Sequence, residues 1–125
     1  MKILIAEDEY ITRLMVQVSL EKWGYRVDCV GDGNEAWEAL QKPDAPQIAI
    51  LDWEMPGLDG VEVCRRVKAD PRTRHVPIVM MSAAHITLEA AADRAHGPDE
   101  YVVRPFLREV LVRNVERLLA RPSPR

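Results

Sequence analysis

Acidic side chains follow two short apolar segments of this sequence. Glu7 and Asp8 come directly after the segment 2–6, and Asp52 directly follows the segment 48–51. Short apolar runs with β-branched residues are typical of strands that are buried on both faces of a parallel sheet. In open α/β sheets, ligands and chemistry collect at the carboxyl edge of the strands. A carboxylate at that edge is a candidate metal ligand, a candidate nucleophile, or both.

Two such strands, placed side by side, would bring the three carboxylates together at one edge of the sheet. Like charges at that range repel each other by several kcal/mol unless a cation neutralises them. A hard divalent cation with oxygen ligands meets this need, and Mg²⁺ requires only one or two carboxylates together with waters and a phosphate group. The acids therefore predict a Mg²⁺ site at this edge.

Length and composition limit the class of protein. The chain has 125 residues, of which 47% are hydrophobic and 30% charged, as expected for one soluble globular domain. The net charge of −3 gives no support to nucleic-acid binding through bulk electrostatics. No apolar run approaches the ~20 residues of a membrane span, and the first residues turn acidic too early for a signal peptide. Cys29 and Cys64 match no disulfide or metal motif, so we expect buried free thiols and a cytoplasmic location.

The sequence alternates between strand and helix patterns five times. Gly24 ends the first predicted helix, Asn34 is the predicted N-cap of the second, and Pro43, Pro71 and Pro98 follow later helix ends. The predicted strands are 2–6, 25–30, 47–51, 76–81 and 100–103, and the predicted helices are 9–23, 34–41, 58–69, 86–96 and 106–120.

Apolar residues mark one side of the first and last predicted helices. On the first helix this side consists of Ile11, Leu14, Met15, Val18 and Trp23. On the last helix it consists of Leu107, Val110, Leu111, Leu118 and Leu119.

Alternating strands and helices with short connections require a parallel sheet with right-handed crossovers and helices on both faces. Five strands in a chain of this length suit a flavodoxin-like (βα)5 fold, a doubly wound three-layer αβα arrangement with strand order 2-1-3-4-5. Strands one and three are neighbours in that order. Glu7, Asp8 and Asp52 are therefore expected to meet where the fold makes its site.

Four segments carry the remaining polar residues of interest, each at the end of a predicted strand. They are ILIAEDE at 3–9, LDWEMPGLDG at 51–60, MMSA at 80–83 and YVVRPF at 101–106. Together they resemble the receiver domains of two-component response regulators, of the chemotaxis-regulator type, and the resemblance extends over essentially the whole chain. It implies a phosphoacceptor signalling domain and not an enzyme acting on a separate substrate, with Mg²⁺ as cofactor and a histidine kinase, a phosphotransfer protein or a small acyl phosphate as donor.

The resemblance also implies roles for individual residues. Asp52 matches the aspartate that receives the phosphoryl group. Glu7 and Asp8 match the acidic pair that holds Mg²⁺, with Asp8 and Asp52 as direct ligands. The backbone carbonyl of Glu54, two residues after the acceptor, completes the implied protein ligands.

Three further positions of the family pattern concern the response to phosphorylation. Ser82 matches the hydroxyl that moves to the phosphoryl oxygen, and Tyr101 matches the aromatic residue whose inward rotation accompanies that movement. The family has a lysine before the Pro-Phe pair of the last segment, whereas this chain has Arg104. A fixed cation there would bind a phosphoryl oxygen, but an arginine fork differs in shape and donor number from a lysine ammonium.

Simpler structural explanations exist for the same residues. Asp52 alone would suit a strand-end acid that caps the next turn. Ser82 would suit the cap of the fourth predicted helix, and Tyr101 an aromatic residue of an edge strand. His85, three residues after Ser82, suits a solvated loop.

Other functions compete with the phosphoacceptor. A degenerate receiver would bind partners without phosphorylation, and Arg104 keeps this alternative open. An aspartyl-phosphate hydrolase would need an aspartate where Glu54 stands. A flavodoxin would need a phosphate-binding loop of Ser, Thr and Gly after the first strand, and the sequence has none there.

The resemblance implies a receiver domain over 1–120, with 121–125 as a tail or the start of a linker to an output domain. Receiver domains often pair through their fourth helix, fifth strand and fifth helix, so a homodimer of that kind is one implied arrangement. Neither a membrane nor direct nucleic-acid binding is expected for the domain itself.

Overall fold

A computed structural model describes residues 2–83, 97–104, 106 and 108–120, with the backbone alone described for Ala83 and Arg104. The strands are β1 Lys2–Ala6, β2 Arg26–Val30, β3 Ile48–Asp52, β4 Ile78–Ala83 and β5 Glu100–Arg104. The helices within the described ranges are α1 Tyr10–Glu21, α2 Gly33–Gln41, α3 Gly60–Ala69 and a C-terminal helix, Arg108–Leu119. None of these helices is both long and apolar enough to cross a membrane.

The strands form one parallel sheet in the order β2-β1-β3-β4-β5, which confirms the predicted flavodoxin-like arrangement. β1 and β3 are direct neighbours, and Ala6 is in register with Leu51. The residues that follow this pair are Glu7 and Asp52. The register therefore sets the two acids side by side at the carboxyl edge of the sheet.

The core lies on both faces of the sheet because successive strand residues point to opposite faces. Ile3 and Ile5 of β1 belong to the cluster beneath α1 and the C-terminal helix. Leu4 and Ala6 belong to the cluster beneath α2 and α3. This double burial explains why β1 has an unbroken apolar run.

Acidic N-caps fix where the first three helices begin. Glu9, Asp32 and Asp59 each accept a hydrogen bond from a backbone N–H in the first turn of α1, α2 and α3, respectively. The predicted N-cap Asn34 is therefore wrong, since α2 begins at Gly33 after Asp32. Gly24, with φ of +90°, adopts the left-handed conformation expected where the chain leaves α1.

Three strands extend further toward the site than the sequence predicts. β3 includes Asp52, β4 continues to Ala83 and β5 continues to Arg104. The extension follows from continued pairing, with Asp52 opposite Met81 and Ser82 opposite Val103. The fourth predicted helix, 86–96, and the predicted tail, 121–125, lie outside the described residues.

The predicted apolar side of α1 faces solvent. Ile11 is 66% exposed, and Trp23, just beyond the helix, is 63% exposed. Leu14, Met15 and Val18 are also exposed large apolar residues. The side that packs on the sheet holds Val16, Ser19 and Leu20 instead, and the Ser19 hydroxyl donates to the carbonyl of Met15. The side of α1 that contacts the core is therefore narrower than predicted, and it includes Ser19, whose hydroxyl has a hydrogen-bond partner within the helix.

The C-terminal helix agrees with the prediction at Leu111 and Leu118, which are buried. Val110 was predicted on the same side but is 41% exposed. Val112 and Val115 take part in the core instead. Leu107 lies outside the described residues.

The amino edge of the sheet is held by a partly buried ion pair. Lys68, near the end of α3, lies 2.8 Å from the Oδ2 atom of Asp99, which precedes β5. The same oxygen accepts the backbone N–H of Ile78 at the start of β4. Lys68 also donates to the carbonyl of Val76. One carboxylate therefore connects α3, β4 and β5 at the edge opposite the acids.

The two cysteines are free thiols, as predicted. Cys64 is buried, whereas Cys29 is half-buried and its thiol donates to the side chain of Gln17. Burial raises the pKa of the Cys29 thiol. Little thiolate forms at neutral pH in consequence, and Cys29 is a weak nucleophile.

Two leucines on α1 provide a matched test of this packing. Leu20 is fully buried, whereas Leu14 is 41% exposed. Leu20→Ala should lower the free energy of unfolding by about 2–5 kcal/mol, because it leaves a cavity in the core. Leu14→Ala should lower it by less than about 1 kcal/mol, as is usual for surface positions. Urea denaturation of both variants measures the difference, and equal losses would mean that α1 is rotated from the orientation described.

Candidate functional site

Three carboxylates meet at the carboxyl edge of the sheet. Glu7 and Asp8 follow β1, Asp52 ends β3, and ligand oxygens of the three residues all lie within 4.8 Å of one another. Within the described part of the chain, this is the group of His, Cys, Asp and Glu side chains that is close enough to hold a metal ion. The predicted acidic site is thus assembled by the fold.

Backbone hydrogen bonds hold both strand ends in place. The N–H of Glu7 donates to the carbonyl of Val30 in β2 at 3.1 Å. On the other side, the N–H of Trp53 donates to the carbonyl of Met81 in β4 at 3.0 Å. Pairing therefore continues to Glu7 and past Asp52, so these two carboxylates project from the paired edge of the sheet, whereas Asp8 lies in the bend after β1.

The three acids differ in their access to solvent. Glu7 is 0% and Asp52 6% exposed, whereas Asp8 is exposed. The N–H of Glu9 donates to one carboxylate oxygen of Glu7 at 3.2 Å. Close carboxylates repel one another, and more strongly away from water. A set of oxygen donors with a buried side and a wet side fits Mg²⁺, which combines carboxylate ligands with retained waters.

Arg13 supports this site and was missed by the sequence analysis. Its Nη1 atom donates to the carbonyl of Glu7 at 3.2 Å, and its guanidinium lies 5.7 Å from the ring centre of Tyr10. A cation in the first turn of a helix is unfavourable with respect to the helix dipole. This unfavourable position, five residues after Asp8, could have predicted from the sequence that Arg13 makes a contact outside its own helix.

Ser82 lies on the neighbouring strand at the same edge. It is 1% exposed, and it directly follows Met81, the register partner of Asp52. Tyr101 of β5 is opposite Met80, so it lies two residues further from the carboxyl edge than Ser82 does. Its side chain is partly buried and packs against the cluster beneath α2 and α3. The fold places Ser82 beside the acids and Tyr101 behind it on β5.

The remaining predicted positions are only partly described. Arg104 is the last residue of β5, in register with Ala83, so its backbone lies at the carboxyl edge. Its side chain lies outside the description, as does all of His85. Glu54 lies in the loop after β3 with an exposed side chain.

The loop 53–59 after Asp52 is held at several points. Trp53, Met55 and Leu58 pack against the cluster beneath α2 and α3. The carbonyl of Trp53 accepts the N–H of Gly60 at 2.8 Å, and the carbonyl of Pro56 accepts the N–H of Gly33 at 3.2 Å. Trp37 of α2 packs against the same cluster. The backbone around Glu54 is therefore fixed close to the acids.

Comparison with known families gives one match over most of the chain. The pattern that defines the response regulator receiver domain matches residues 3–116. A curated relative is the phosphate regulon transcriptional regulatory protein PhoB of Rhizobium meliloti, 38% identical over 123 residues. The match covers 98% of this chain and 54% of the relative, so the chain spans about half the length of that protein.

Solved structures agree with this match. The signal receiver domain of a signal transduction histidine kinase from Syntrophus aciditrophicus has a TM-score of 0.86 at 30% identity, covering 95% of this chain and 89% of that one. The receiver domain of a sensor histidine kinase from Pseudomonas aeruginosa has a TM-score of 0.83 at 28% identity, covering 96% and 98% of the two chains. That structure holds a magnesium ion coordinated in its active-site cleft.

Metal binding can be followed through Trp53, which adjoins Asp52 and is partly buried. In a Trp23→Phe, Trp37→Phe background, millimolar Mg²⁺ should change the fluorescence of Trp53, because the cation changes the field at the indole. Asp8→Asn should abolish the change by removing a ligand, whereas Glu38→Gln, which removes an exposed acid of α2, should preserve it. The absence of any response in the background protein would contradict a metal site at these acids.

Proposed function

Because this chain belongs to the response regulator receiver domain family, we propose that Asp52 accepts the phosphoryl group and that Glu7, Asp8 and Asp52 hold Mg²⁺. The chain is a phosphoacceptor signalling domain of a two-component system. The observation that carries the residue assignment is the group of three carboxylates, whose ligand oxygens lie within 4.8 Å of one another at the ends of β1 and β3.

The proposed reaction is a displacement at phosphorus. A carboxylate oxygen of Asp52 forms a bond to the phosphoryl group, while the bond from phosphorus to the histidine nitrogen or to the acyl phosphate oxygen breaks. The leaving group departs with that electron pair, and the product is a mixed anhydride on Asp52. When bound, Mg²⁺ neutralises charge on the phosphoryl oxygens. Asp52 is paired with Met81 of β4, and the preceding Leu51 with Ala6 of β1, so the carboxylate needs little reorientation to act.

The proposed response to phosphorylation involves Ser82 and Tyr101. The Ser82 hydroxyl, at the same edge as Asp52, donates to a phosphoryl oxygen, and Arg104 supplies a cation to another. Tyr101 is partly buried at the neighbouring strand, and its ring rotates inward in the proposed response. The new charge on Asp52 thus becomes a change on the surface around β5 and the C-terminal helix.

Several further properties belong to the same proposal. The backbone carbonyl of Glu54 is the remaining protein ligand of Mg²⁺, and slow hydrolysis of the mixed anhydride by water resets the domain. The donor is a histidine kinase or a phosphotransfer protein in the cytoplasm. A receiver domain over 1–120 followed by a tail or linker, and a homodimer through the fourth predicted helix, β5 and the C-terminal helix, complete the proposal. A degenerate receiver is not favoured, because the acid set is complete.

Asp52→Asn provides the direct test of the acceptor. Incubation of the wild type with acetyl phosphate and Mg²⁺ should add one phosphoryl group, labile to hydroxylamine, as measured by intact mass. Asp52→Asn should remove it, since an amide cannot form the anhydride. Asp59→Asn is the matched control, because asparagine caps a helix as well as aspartate and α3 should remain intact. Labelling that persists in Asp52→Asn would place the nucleophile elsewhere.

Arg104 should make this domain a competent but slow acceptor with a muted response. An arginine fork is able to pair with the resting Asp52 carboxylate, and that pair must break before the phosphoryl group settles. Arg104→Lys should therefore speed phosphorylation by acetyl phosphate and enlarge the amide chemical shift changes around Tyr101 on addition of beryllofluoride. If Arg104→Ala matches the wild type in both measurements, Arg104 takes no part in the site.

A further inference from the structure

The first residue of α2 lies directly against the loop that follows Asp52. Gly33 is buried, and its N–H donates to the carbonyl of Pro56 at 3.2 Å. A Cβ atom at position 33 would overlap the carbonyl oxygen of Leu58, and would lie 2.5 Å from its carbonyl carbon and 2.8 Å from its Cβ atom. The backbones of α2 and the loop are therefore closer than any side chain at position 33 allows.

A second contact joins Gly57 of the loop to Asn34, the residue that follows Gly33 in α2. Gly57 has φ of +73°, a conformation that favours glycine, and a Cβ atom there would lie 2.5 Å from the side-chain nitrogen of Asn34. Two consecutive residues of α2 thus face residues 56–58 of the loop. The start of α2 is in turn fixed by its cap, since Asp32 accepts the N–H of Glu35 at 2.8 Å.

The ends of the loop are fixed to the sheet and to α3. The N–H of Trp53 donates to β4, and the carbonyl of Trp53 accepts the N–H of Gly60. Glu54 lies between the anchored Trp53 and the anchored Pro56. A displacement of Pro56 is therefore passed within two residues to the backbone of Glu54.

We propose that Gly33 is a positioning residue for phosphorylation: the absence of a side chain lets α2 hold the loop 53–59 in the position that metal binding next to Asp52 requires. The inference deepens the proposed function and rests on it. Gly33 touches neither the donor nor the acceptor, and it acts through the backbone of the loop. Gly33 thus has a task beyond beginning α2.

The consequence of a side chain at position 33 follows from the overlap. The carbonyl of Leu58 or the start of α2 would have to move by more than about 1.5 Å to restore van der Waals separation. Both are backbone, so rotation of a side chain cannot relieve the overlap. Displacements of this size near a reacting group reduce rates by about 100-fold, and changes in groups that orient metal ligands weaken metal binding by about 10–100-fold.

Gly33→Ala and Gly31→Ala form a matched pair in the same turn. A Cβ atom at Gly31 would meet only the Nη1 atom of Arg13, at an ordinary 3.7 Å. With Trp53 as the single tryptophan, Gly33→Ala should weaken Mg²⁺ binding at least about tenfold, whereas Gly31→Ala should remain within about twofold of the parent. Amide chemical shifts of the metal-free proteins should change at 53–60 in Gly33→Ala and not in Gly31→Ala.

Gly57→Ala and Gly24→Ala decide the question if Gly33→Ala does not fold. Both glycines have positive φ, but a Cβ atom at Gly24 meets nothing within 4 Å. The two substitutions therefore share the positive φ, and only Gly57→Ala places a Cβ atom against a residue of α2, 2.5 Å from the side-chain nitrogen of Asn34. It should weaken Mg²⁺ binding while Gly24→Ala does not.

Two results would overturn the inference: folded Gly33→Ala with the Mg²⁺ affinity and labelling rate of Gly31→Ala, or equal affinities for Gly57→Ala and Gly24→Ala. Failure of the wild type to bind Mg²⁺ or to be labelled at Asp52 would overturn the proposed function instead. The metal-free chemical shifts separate these cases, because they report the position of the loop whether or not a metal binds.

Discussion

The pairing of β1 with β3 is the contact on which the site depends. It brings two buried strands into register so that the acids after one strand adjoin the acid at the end of the other. Repulsion between three carboxylates so close together destabilises the folded state. Burial of the apolar residues on both faces of the strands offsets this cost. The core of this protein therefore holds the carboxylates together at the sheet edge. Three carboxylates that could hold a cation are thus already placed close together.

The fold and the centre of the site could be predicted because their signals are local. Apolar runs that end in acids, with helices between them, identify the strands and the carboxylates at 7, 8 and 52. The order of the strands could not be predicted from these patterns alone and needed the rule that strand–helix–strand connections are right-handed. The orientation of α1 was not predictable by the same means. Periodicity shows which residues share a side of a helix, but α1 has apolar residues on two sides, and the side with Val16 and Leu20 packs on the sheet.

The supports of the site were harder to predict than its acids. Gly33 has its significance only when Leu58, 25 residues later, lies against it, and no local pattern reports that approach. Arg13 left a weak signal as a cation at the wrong end of a helix. The strand ends were placed too early because Asp52 and Ser82 are polar, although both belong to the sheet. Here polar residues at the ends of strands belong to the candidate site, whereas a pattern of apolar residues predicts that the strand has already ended at them.

The ion pair between Lys68 and Asp99 has a consequence for how a signal can travel. The Asp99 carboxylate accepts the first N–H of β4, and the Lys68 ammonium donates to the carbonyl of Val76 just before β4, so β4 cannot slide along its neighbours without losing two charge-assisted bonds. A slip of one residue would also exchange the side chains that β4 packs into the core clusters on the two faces of the sheet. These contacts therefore resist translation of β4 along its neighbours. A change at the carboxyl edge meets less resistance as a side-chain rotation or a loop displacement than as a movement of this strand, whose opposite end is held by the ion pair.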